Sequence, residues 1–149
     1  IDNYHSQGEK VVWTNGCFDL LHEGHIDYLS KARELGDCLI VGLNSDESAR
    51  KLKGPDRPIY SEQARSTILS SLNFVDYVTI FPEISVEKYL LELKPDIYVK
   101  GGDYDLETMN QQERAALETY QGKAVFIPFT KEISTSKIIK SIRKKPNNS

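Results

Sequence analysis

Residues 10–25 read KVVWTNGCFDLLHEGH, an apolar run, then a polar glycine turn, then a helix-like stretch. The run over residues 11–13 predicts a strand that ends at the turn Asn15-Gly16. A helix is predicted to follow to about Leu35, because Gly36 is a typical helix stop and apolar residues recur on one face. That face carries Ile26, Leu29 and Ala32. A strand joined to a helix in this way is the repeating unit of a parallel α/β sheet.

The same alternation continues along the chain. Further strands are predicted at CLIVGL (38–43), YVTIF (77–81), IYV (97–99) and AVFIPF (124–129). Helix N-caps are expected at Ser61, Ser85 and Ser134, and a polar helix at residues 111–120. The basic segment 50–60 has two prolines and a glycine and predicts a mobile loop, and residues 144–149 predict a flexible C-terminal tail. We predict a single α/β domain over residues 1–149, Rossmann-like, with a core at about 10–142 and a five-stranded parallel sheet with helices on both faces.

Composition narrows the class of protein. The 149 residues carry a net charge of −3, with 39% hydrophobic and 28% charged residues, which is ordinary for a globular domain. The negative charge argues against a general nucleic-acid surface, and no apolar run approaches the roughly 20 residues of a membrane span. The first ten residues lack the apolar core of a signal peptide, and Cys17 and Cys38 have no disulfide or metal-site spacing. We expect a cytoplasmic protein without nucleic-acid or membrane partners.

Four polar stretches follow predicted strands: TNGCFD, NSD, KGGD and TKEISTS. The carboxyl ends of parallel strands meet at one edge of a sheet, where ligands of such folds bind. We therefore expect one ligand site built from these four stretches.

The pair His22 and His25 stands out, because the chain has three histidines in all. Side chains three apart share a helix face, so both can point at one ligand, and Gly24 lets that ligand come close. An imidazolium or a neutral N–H donor would stabilise the charge that grows during phosphoryl transfer, and the amides after Gly16 are further donors. Two histidines without a third ligand make a poor zinc site, and the plain alternative is a structural pair at a helix start.

The hydroxyls of Ser134, Thr135 and Ser136 open the last predicted helix. Free amides and the positive dipole end make such a start a phosphate site, although a simple N-cap explains the same residues.

Two basic or glycine-rich segments could complete the site. Charged residues cluster on and after the predicted loop, and they would either close over a ligand or form a solvated face; they are Lys51, Lys53, Arg57 and Arg65. In the sequence KGGD, the paired glycines after Lys100 admit a ligand closely, and Asp103 could bind Mg²⁺ or hydroxyl groups. A plain tight turn is the alternative.

NGCFDLLHEGH (15–25) and ISTSKII (133–139) resemble the cytidylyltransferase-like branch of the HxGH nucleotidyltransferases. LKG-DRP and VKGGDY are similar to the adenylyltransferase domain of the bifunctional enzymes that make ADP-heptose. The likeness runs from about Lys10 to Ile142. Those enzymes also carry a sugar-kinase domain, absent here, so we expect a stand-alone or excised transferase.

The resemblance implies a role for each matching position. Catalytic roles fall to His22, His25 and Lys53. Nucleotide contacts fall to Asn15, Gly16, Cys17, Phe18, Gly24, Lys100, Gly101, Asp103, Ser134, Thr135 and Ser136. Substrate contacts fall to Asp19, Lys51, Arg57 and Arg65. It also implies ATP with Mg²⁺, no metal ligands from protein side chains, a phosphorylated sugar as acceptor, and a homodimer.

The implied reaction transfers an adenylyl group from ATP to a sugar 1-phosphate and releases pyrophosphate. The acceptor that the resemblance favours is D-glycero-D-manno-heptose 1-phosphate. Glycerol-3-phosphate cytidylyltransferases share the first motif, but they typically have an arginine and a glycine before IST, where this chain has Thr130-Lys131-Glu132. That enzyme and a non-catalytic nucleotide-binding module remain the alternatives.

Overall fold

The computed structural model describes residues 1–128 and 134–144. Within them five strands alternate with helices. The strands are β1 (Val11–Gly16), β2 (Cys38–Asn44), β3 (Tyr77–Phe81), β4 (Ile97–Gly101) and β5 (Lys123–Ile127). The helices are α1 (Asp2–Ser6), α2 (Glu23–Glu34), α3 (Asp46–Lys53), α4 (Glu62–Ser70), α5 (Glu87–Leu93), α6 (Gln111–Thr119) and α7 (Thr135–Lys144).

All strand pairs are parallel, in the order β3-β2-β1-β4-β5. The central strand β1 therefore lies between β2 and β4, and Thr14 pairs with Val41 on one side and with Val99 on the other. This order brings the carboxyl ends of β1 and β4 side by side. The predicted five-stranded parallel sheet is confirmed.

Helices cover both faces of the sheet, because successive side chains of a strand point to opposite faces. On one face Val12 and Val41 pack with Leu29 of α2 and Leu69 of α4. On the other face, Leu90 of α5 and Leu117 of α6 pack against the sheet. The strand residues in this cluster are Trp13, Ile40 and Tyr98. The Rossmann-like arrangement with two helical layers is confirmed. Among the described residues, no helix is both long and apolar enough to cross a membrane.

The first strand is longer than predicted. β1 runs through Asn15 and Gly16, which pair with Gly42 and Leu43 of β2, instead of turning after Trp13. The ladder with β2 supplies hydrogen bonds that outweigh the turn preference of Asn-Gly. The turn toward α2 therefore starts at Cys17, nearer the ligand edge.

The predicted mobile loop over residues 50–60 is wrong in its first part, because α3 occupies residues 46–53. The Ser45 side chain caps this helix by accepting from the Ser48 amide at 3.2 Å. Acidic residues fill its first turn and basic residues its last, which complements the helix dipole. This helix has few apolar residues, and only Ser48 and Ala49 are buried. The connection to α4 is confined to residues 54–61.

Most other predicted elements agree closely, but Ser85 is not the N-cap of α5: Val86 holds that position without a side-chain cap hydrogen bond, and the Ser85 hydroxyl accepts from the Glu87 amide at 3.2 Å. Ser61 accepts from the Ala64 amide and caps α4, and Ser134 accepts from the Lys137 amide and caps α7. Ile142, near the end of α7, is 64% exposed. The end of the predicted last strand at Phe129, the Thr130-Lys131-Glu132 stretch and the tail from residue 145 lie outside the described residues.

Candidate active site

The turn between β1 and α2 carries unusual backbone geometry. Phe18 and Leu20 both have φ of 47°, a left-handed conformation that is uncommon for residues with a side chain. Burial of the Phe18 ring, which is 7% exposed, holds this conformation in place. A Cβ on Gly16 would lie 3.1 Å from that ring, so glycine is needed here for packing as well as for ligand approach. The turn is thus held rigidly at the carboxyl end of the central strand.

The two histidines form a capping box at the start of α2. His22 is the N-cap, and its Nδ1 accepts from the Gly24 amide at 3.1 Å. His25, at the third helical position, accepts from the His22 amide through its own Nδ1 at 3.3 Å. An amide N–H always donates, so both Nδ1 atoms are unprotonated and each neutral ring carries its proton on Nε2. The backbone thereby fixes the tautomer of both rings.

Burial keeps both rings neutral near pH 7. Burial, together with the adjacent His22, lowers the pKa of His25 to about 4. Burial also lowers the pKa of His22. The ring centroids are 3.9 Å apart, so protonating both rings would place two charges in contact. Of the two forms that the sequence left open, the structure favours neutral N–H donors.

Asp19 connects three parts of the site. Its fully buried carboxylate accepts from Arg57 Nε at 3.2 Å and from the amides of Ile59 and Tyr60. Its carbonyl accepts from the Thr135 hydroxyl at 2.6 Å. The β1–α2 turn, the 54–61 connection and the start of α7 are thus tied to one residue. Asp19 therefore has a positioning role, because its oxygens already have these partners, and its predicted substrate contact stays a prediction.

Arg65 also has a structural environment. Its guanidinium, with a side chain 0% exposed, donates to the carbonyls of Cys17, Asn44 and Tyr60 and to the carboxylate of Asp46, at 2.8 to 3.0 Å. Arginine's planar fork is suited to such multiple contacts. The predicted substrate contact of Arg65 is corrected: it holds the carboxyl ends of β1 and β2 to α4.

One cavity of about 460 Å³ gathers most of the predicted residues at the carboxyl edge of the sheet. Its predicted members are Asn15, Gly16, Cys17, Phe18, Asp19, His22, His25, Lys53, Arg57, Gly101, Ser134, Thr135 and Ser136. The four polar stretches were predicted to meet here, and three of them contribute described residues: those after β1 and β4, and the last three residues of TKEISTS, Ser134–Ser136. The stretch NSD after β2 does not line the cavity, whereas Lys53 of α3 and Arg57 of the 54–61 connection do.

Four further predicted residues do not line this cavity. Gly24 is buried, and its amide serves the His22 ring. Lys51 is exposed and pairs with Glu47 at 3.1 Å, one helical turn away. Lys100 lies 3.7 Å from the buried Glu113 carboxylate, and Asp103 is exposed. For these residues the structure gives local partners or solvent exposure and no place in the cavity wall.

Two lining residues were not predicted. Tyr28 lies one turn beyond His25 on α2, and its hydroxyl interacts with Thr14 and donates to the Val99 carbonyl. Lys137 directly follows the three hydroxyl residues of α7. Helical spacing from His25 was the available signal for Tyr28, and adjacency to Ser136 was the signal for Lys137.

The chemistry of the remaining groups limits what this cavity can do. Burial raises the pKa of the Cys17 thiol, so it stays protonated and is a poor nucleophile. In the described residues, no group of three or more His, Cys, Asp or Glu side chains is arranged to hold a metal ion. Neutral N–H donors, three cations and a helix start instead make a site for an extended phosphate chain.

Comparisons with known proteins show the family of this chain. Residues 13–141 match the family model described as cytidylyltransferase-like. The chain belongs to the cytidylyltransferase-like family. By this membership it is a nucleotidyltransferase.

This cytidylyltransferase-like chain has close relatives among bifunctional proteins. It is 51% identical to the bifunctional protein HldE of Citrifermentans bemidjiense over 138 residues, which are 93% of this chain and 28% of that protein. It is also 51% identical to HldE of Syntrophotalea carbinolica, over 91% of this chain and 27% of that one. The chain thus spans less than a third of the length of these relatives.

Two solved structures resemble it as well. The lipopolysaccharide core biosynthesis protein of Thermoplasma volcanium is 31% identical with a TM-score of 0.68, covering 85% of this chain and 100% of that one. For pantothenate synthetase of Thermus thermophilus the match covers 87% of this chain and 61% of that one, with a TM-score of 0.60; at 14% identity it shows the fold alone.

Proposed function

We propose that this chain is an adenylyltransferase that joins AMP from ATP to D-glycero-D-manno-heptose 1-phosphate, giving ADP-heptose and pyrophosphate. The observation that carries the proposal is the His22–His25 capping box, which fixes two neutral Nε2–H donors in the wall of the cavity. Lys53, Arg57 and the start of α7 line the same cavity and supply positive potential for a triphosphate.

The reaction needs no covalent intermediate. A phosphate oxygen of the acceptor attacks the α-phosphorus in line and forms the new P–O bond. The bond from the α-phosphorus to the bridging oxygen breaks, and its electron pair leaves with pyrophosphate. The attacking oxygen is already anionic, so no base has to remove a proton. The task left to the protein is to position the two reactants and to stabilise charge.

Each group of the cavity has a part in this scheme. The N–H donors of His22 and His25 stabilise charge on the α-phosphate oxygens, which grows as the phosphorus becomes five-coordinate. Lys53 and the amides at the start of α7 offset the charge that collects on the leaving pyrophosphate. Because the histidines remain neutral, they donate hydrogen bonds throughout and transfer no proton.

Mg²⁺ enters this proposal with its substrate, ATP. The described residues supply no ligand cluster for the ion, so its ligands would be phosphate oxygens and water, as Mg²⁺ often prefers. Bound in this way it neutralises part of the triphosphate charge. We also propose a homodimer, which light scattering of the purified chain would test.

The heptose acceptor rests on resemblance. LKG-DRP and VKGGDY are shared with the enzymes that make ADP-heptose, and HldE relatives are 43–51% identical to this chain. The 31% identity to a lipopolysaccharide core biosynthesis protein supports the same acceptor. A glycerol-3-phosphate cytidylyltransferase is the second candidate, favoured by the shared FDLLH-x-GH motif.

A panel of nucleotides and acceptors tests the proposal. ATP and CTP are each combined with heptose 1-phosphate and with glycerol 3-phosphate, and pyrophosphate release is measured in the presence of Mg²⁺. We expect turnover with ATP and heptose 1-phosphate, with ADP-heptose identified by mass spectrometry. Turnover only with CTP and glycerol 3-phosphate would transfer the assignment to the second candidate. Tight nucleotide binding without pyrophosphate release from any pair would indicate a non-catalytic module.

A further inference from the structure

A second cavity of about 320 Å³ opens beside the first, between α7 and the segment that follows α3. The two cavities are adjacent, because they share four lining residues: Lys53, Arg57, Ser136 and Lys137. We call this second cavity the α7 groove. Its size lies within the usual range for small-ligand pockets, roughly 300–1,000 Å³. The transfer proposed above leaves its far wall without a role.

The described walls of the α7 groove are strongly cationic. Its charged lining consists of Lys53, Arg57, Lys137, Lys140, Arg143 and a single carboxylate, Asp56. Asp56 lies 3.4 Å from Arg143, but both side chains are largely exposed, so this pair is weak. The buried carboxylate of Asp19 offsets part of the Arg57 charge. Within residues 1–128 and 134–144, no carboxylate lies within ion-pair distance of Lys53 or Lys140. The groove therefore favours an anion.

The groove has a direction along α7. Ser136, Ile139, Lys140 and Arg143 are spaced three, four and seven residues along the helix, so they share one face. At 1.5 Å per residue they extend over about 10 Å. One end is the helix start, where we place the terminal phosphates of ATP, and the other end leads away from the histidines. A chain of linked phosphates would follow this line of charge.

We propose that the α7 groove binds condensed inorganic phosphate and receives the pyrophosphate that the transfer releases. This inference rests on the proposed function, since it takes the leaving group from that reaction. No bond forms or breaks in the groove. Pyrophosphate moves from the shared residues Lys53 and Lys137 toward Lys140 and Arg143 and vacates the start of α7 for the next ATP.

Binding of inorganic tripolyphosphate tests the groove without any turnover. Isothermal calorimetry on the full chain compares orthophosphate, pyrophosphate and tripolyphosphate, and we expect affinity to increase with chain length. The double variant Lys140→Gln with Arg143→Gln should bind tripolyphosphate about tenfold more weakly, because two charges within several ångströms of a polyanion are removed, even after screening by salt.

A matched control removes two exposed lysines that line neither cavity, Lys31→Gln with Lys88→Gln. It should change tripolyphosphate affinity less than twofold, and the unliganded melting temperatures of both double variants should show that they fold. Equal affinities in the groove variant and the control would overturn the proposal, as would wild-type protein that does not bind tripolyphosphate. Loss of binding in the groove variant alone, in a protein that shows no nucleotidyl transfer, would sustain the groove and reject the proposed function.

Discussion

Replacing His25 with Gln should separate the two tasks of this side chain. His25 Nδ1 caps α2 by accepting from the His22 amide, while its Nε2–H is the proposed donor to phosphate. Gln is a usual capping-box residue at this helical position, so it can keep the hydrogen bond to the N-cap amide. It lacks the rigid ring that aims a donor into the cavity. His25→Ala removes both the cap and the donor.

The expected loss of kcat and the expected loss of stability can each be given a size. Loss of one preorganised donor to a developing charge typically costs about 10²–10³-fold in kcat, so both variants should lose that much. Loss of the cap costs about 1 kcal/mol of unfolding free energy, which Ala should lose and Gln should largely retain. The measurements are pyrophosphate release with ATP and heptose 1-phosphate, and urea unfolding at pH 8.

The pH dependence follows from the neutral rings. Between pH 7 and 8.5 the acceptor phosphate is already ionised, since a phosphate monoester has its second pKa near about 6. Neutral donors then predict a flat kcat over this range. An imidazolium with the ordinary pKa of about 6.5 would instead lose roughly twentyfold in its charged fraction.

The free energy of unfolding should decrease as the pH falls, whereas a histidine whose pKa is raised by an acidic partner would make it increase. Burial holds the His25 pKa at about 4, below the unfolded value of 6.5, so the unfolded chain binds more protons between these values. Stability is therefore full above about pH 6.5 and falls as the pH drops toward 4, with a loss of about 2 kcal/mol at pH 5 from this group. His25→Gln should show a smaller loss. Wild-type kcat in the Gln variant, or a twentyfold fall in wild-type kcat from pH 7 to 8.5, would refute the neutral-donor mechanism.

Three further substitutions test the rest of the cavity. Asp19→Asn should cost about 3 kcal/mol of unfolding free energy, because it leaves the Arg57 guanidinium without its buried charge partner, and limited proteolysis should then cut within residues 54–61; an unchanged digestion pattern would contradict the positioning role. Ser136→Ala should shrink the rise in melting temperature that ATP produces while leaving that with AMP nearly unchanged, since AMP lacks the β- and γ-phosphates; equal losses for both nucleotides would place the triphosphate elsewhere. Lys53→Ala should raise the Kd for ATP about tenfold in calorimetry, and an unchanged Kd would remove it from the triphosphate site.

The buried Thr135 shows why the start of α7 needs the tertiary structure. From the sequence alone, Thr135 and Ser136 are equally good candidates for phosphate binding, because both hydroxyls follow the capping serine at the helix start. In the structure the Thr135 hydroxyl donates to the Asp19 carbonyl, and Thr135 is 8% exposed, whereas Ser136 is exposed. Thr135 is thus partly structural, and Ser136 is the cleaner probe of phosphate binding.

The sheet and the location of the site could be predicted from the sequence. Continuous apolar runs such as residues 38–43 are covered on both faces only in a parallel sheet, and that topology collects the polar stretches at the carboxyl ends of its strands. Serine caps marked the starts of α4 and α7 for the same local reason, since an N-cap depends on residues within one turn. The short helix α3 was not predicted, because it has few apolar residues and its signals are a serine cap and charges placed to suit the helix dipole.

Only the tertiary structure decided what the polar side chains do. Arg57 and Arg65 look alike in the sequence, yet Arg57 lines the cavity beside Asp19, while Arg65 is buried and donates to the carbonyls of Cys17 and Asn44. The tautomer of His22 and His25 depends on which backbone amide donates to each Nδ1. These hydrogen bonds, at 3.1 and 3.3 Å, are known only from the positions of the side chains in the structure. Apolar burial repeats with the period of an element and is visible along the chain, whereas a hydrogen bond or an ion pair is directional and joins residues far apart in sequence. The positions of most strands and helices are therefore visible in the local sequence, whereas the chemistry of the site is a property of the assembled edge of the sheet.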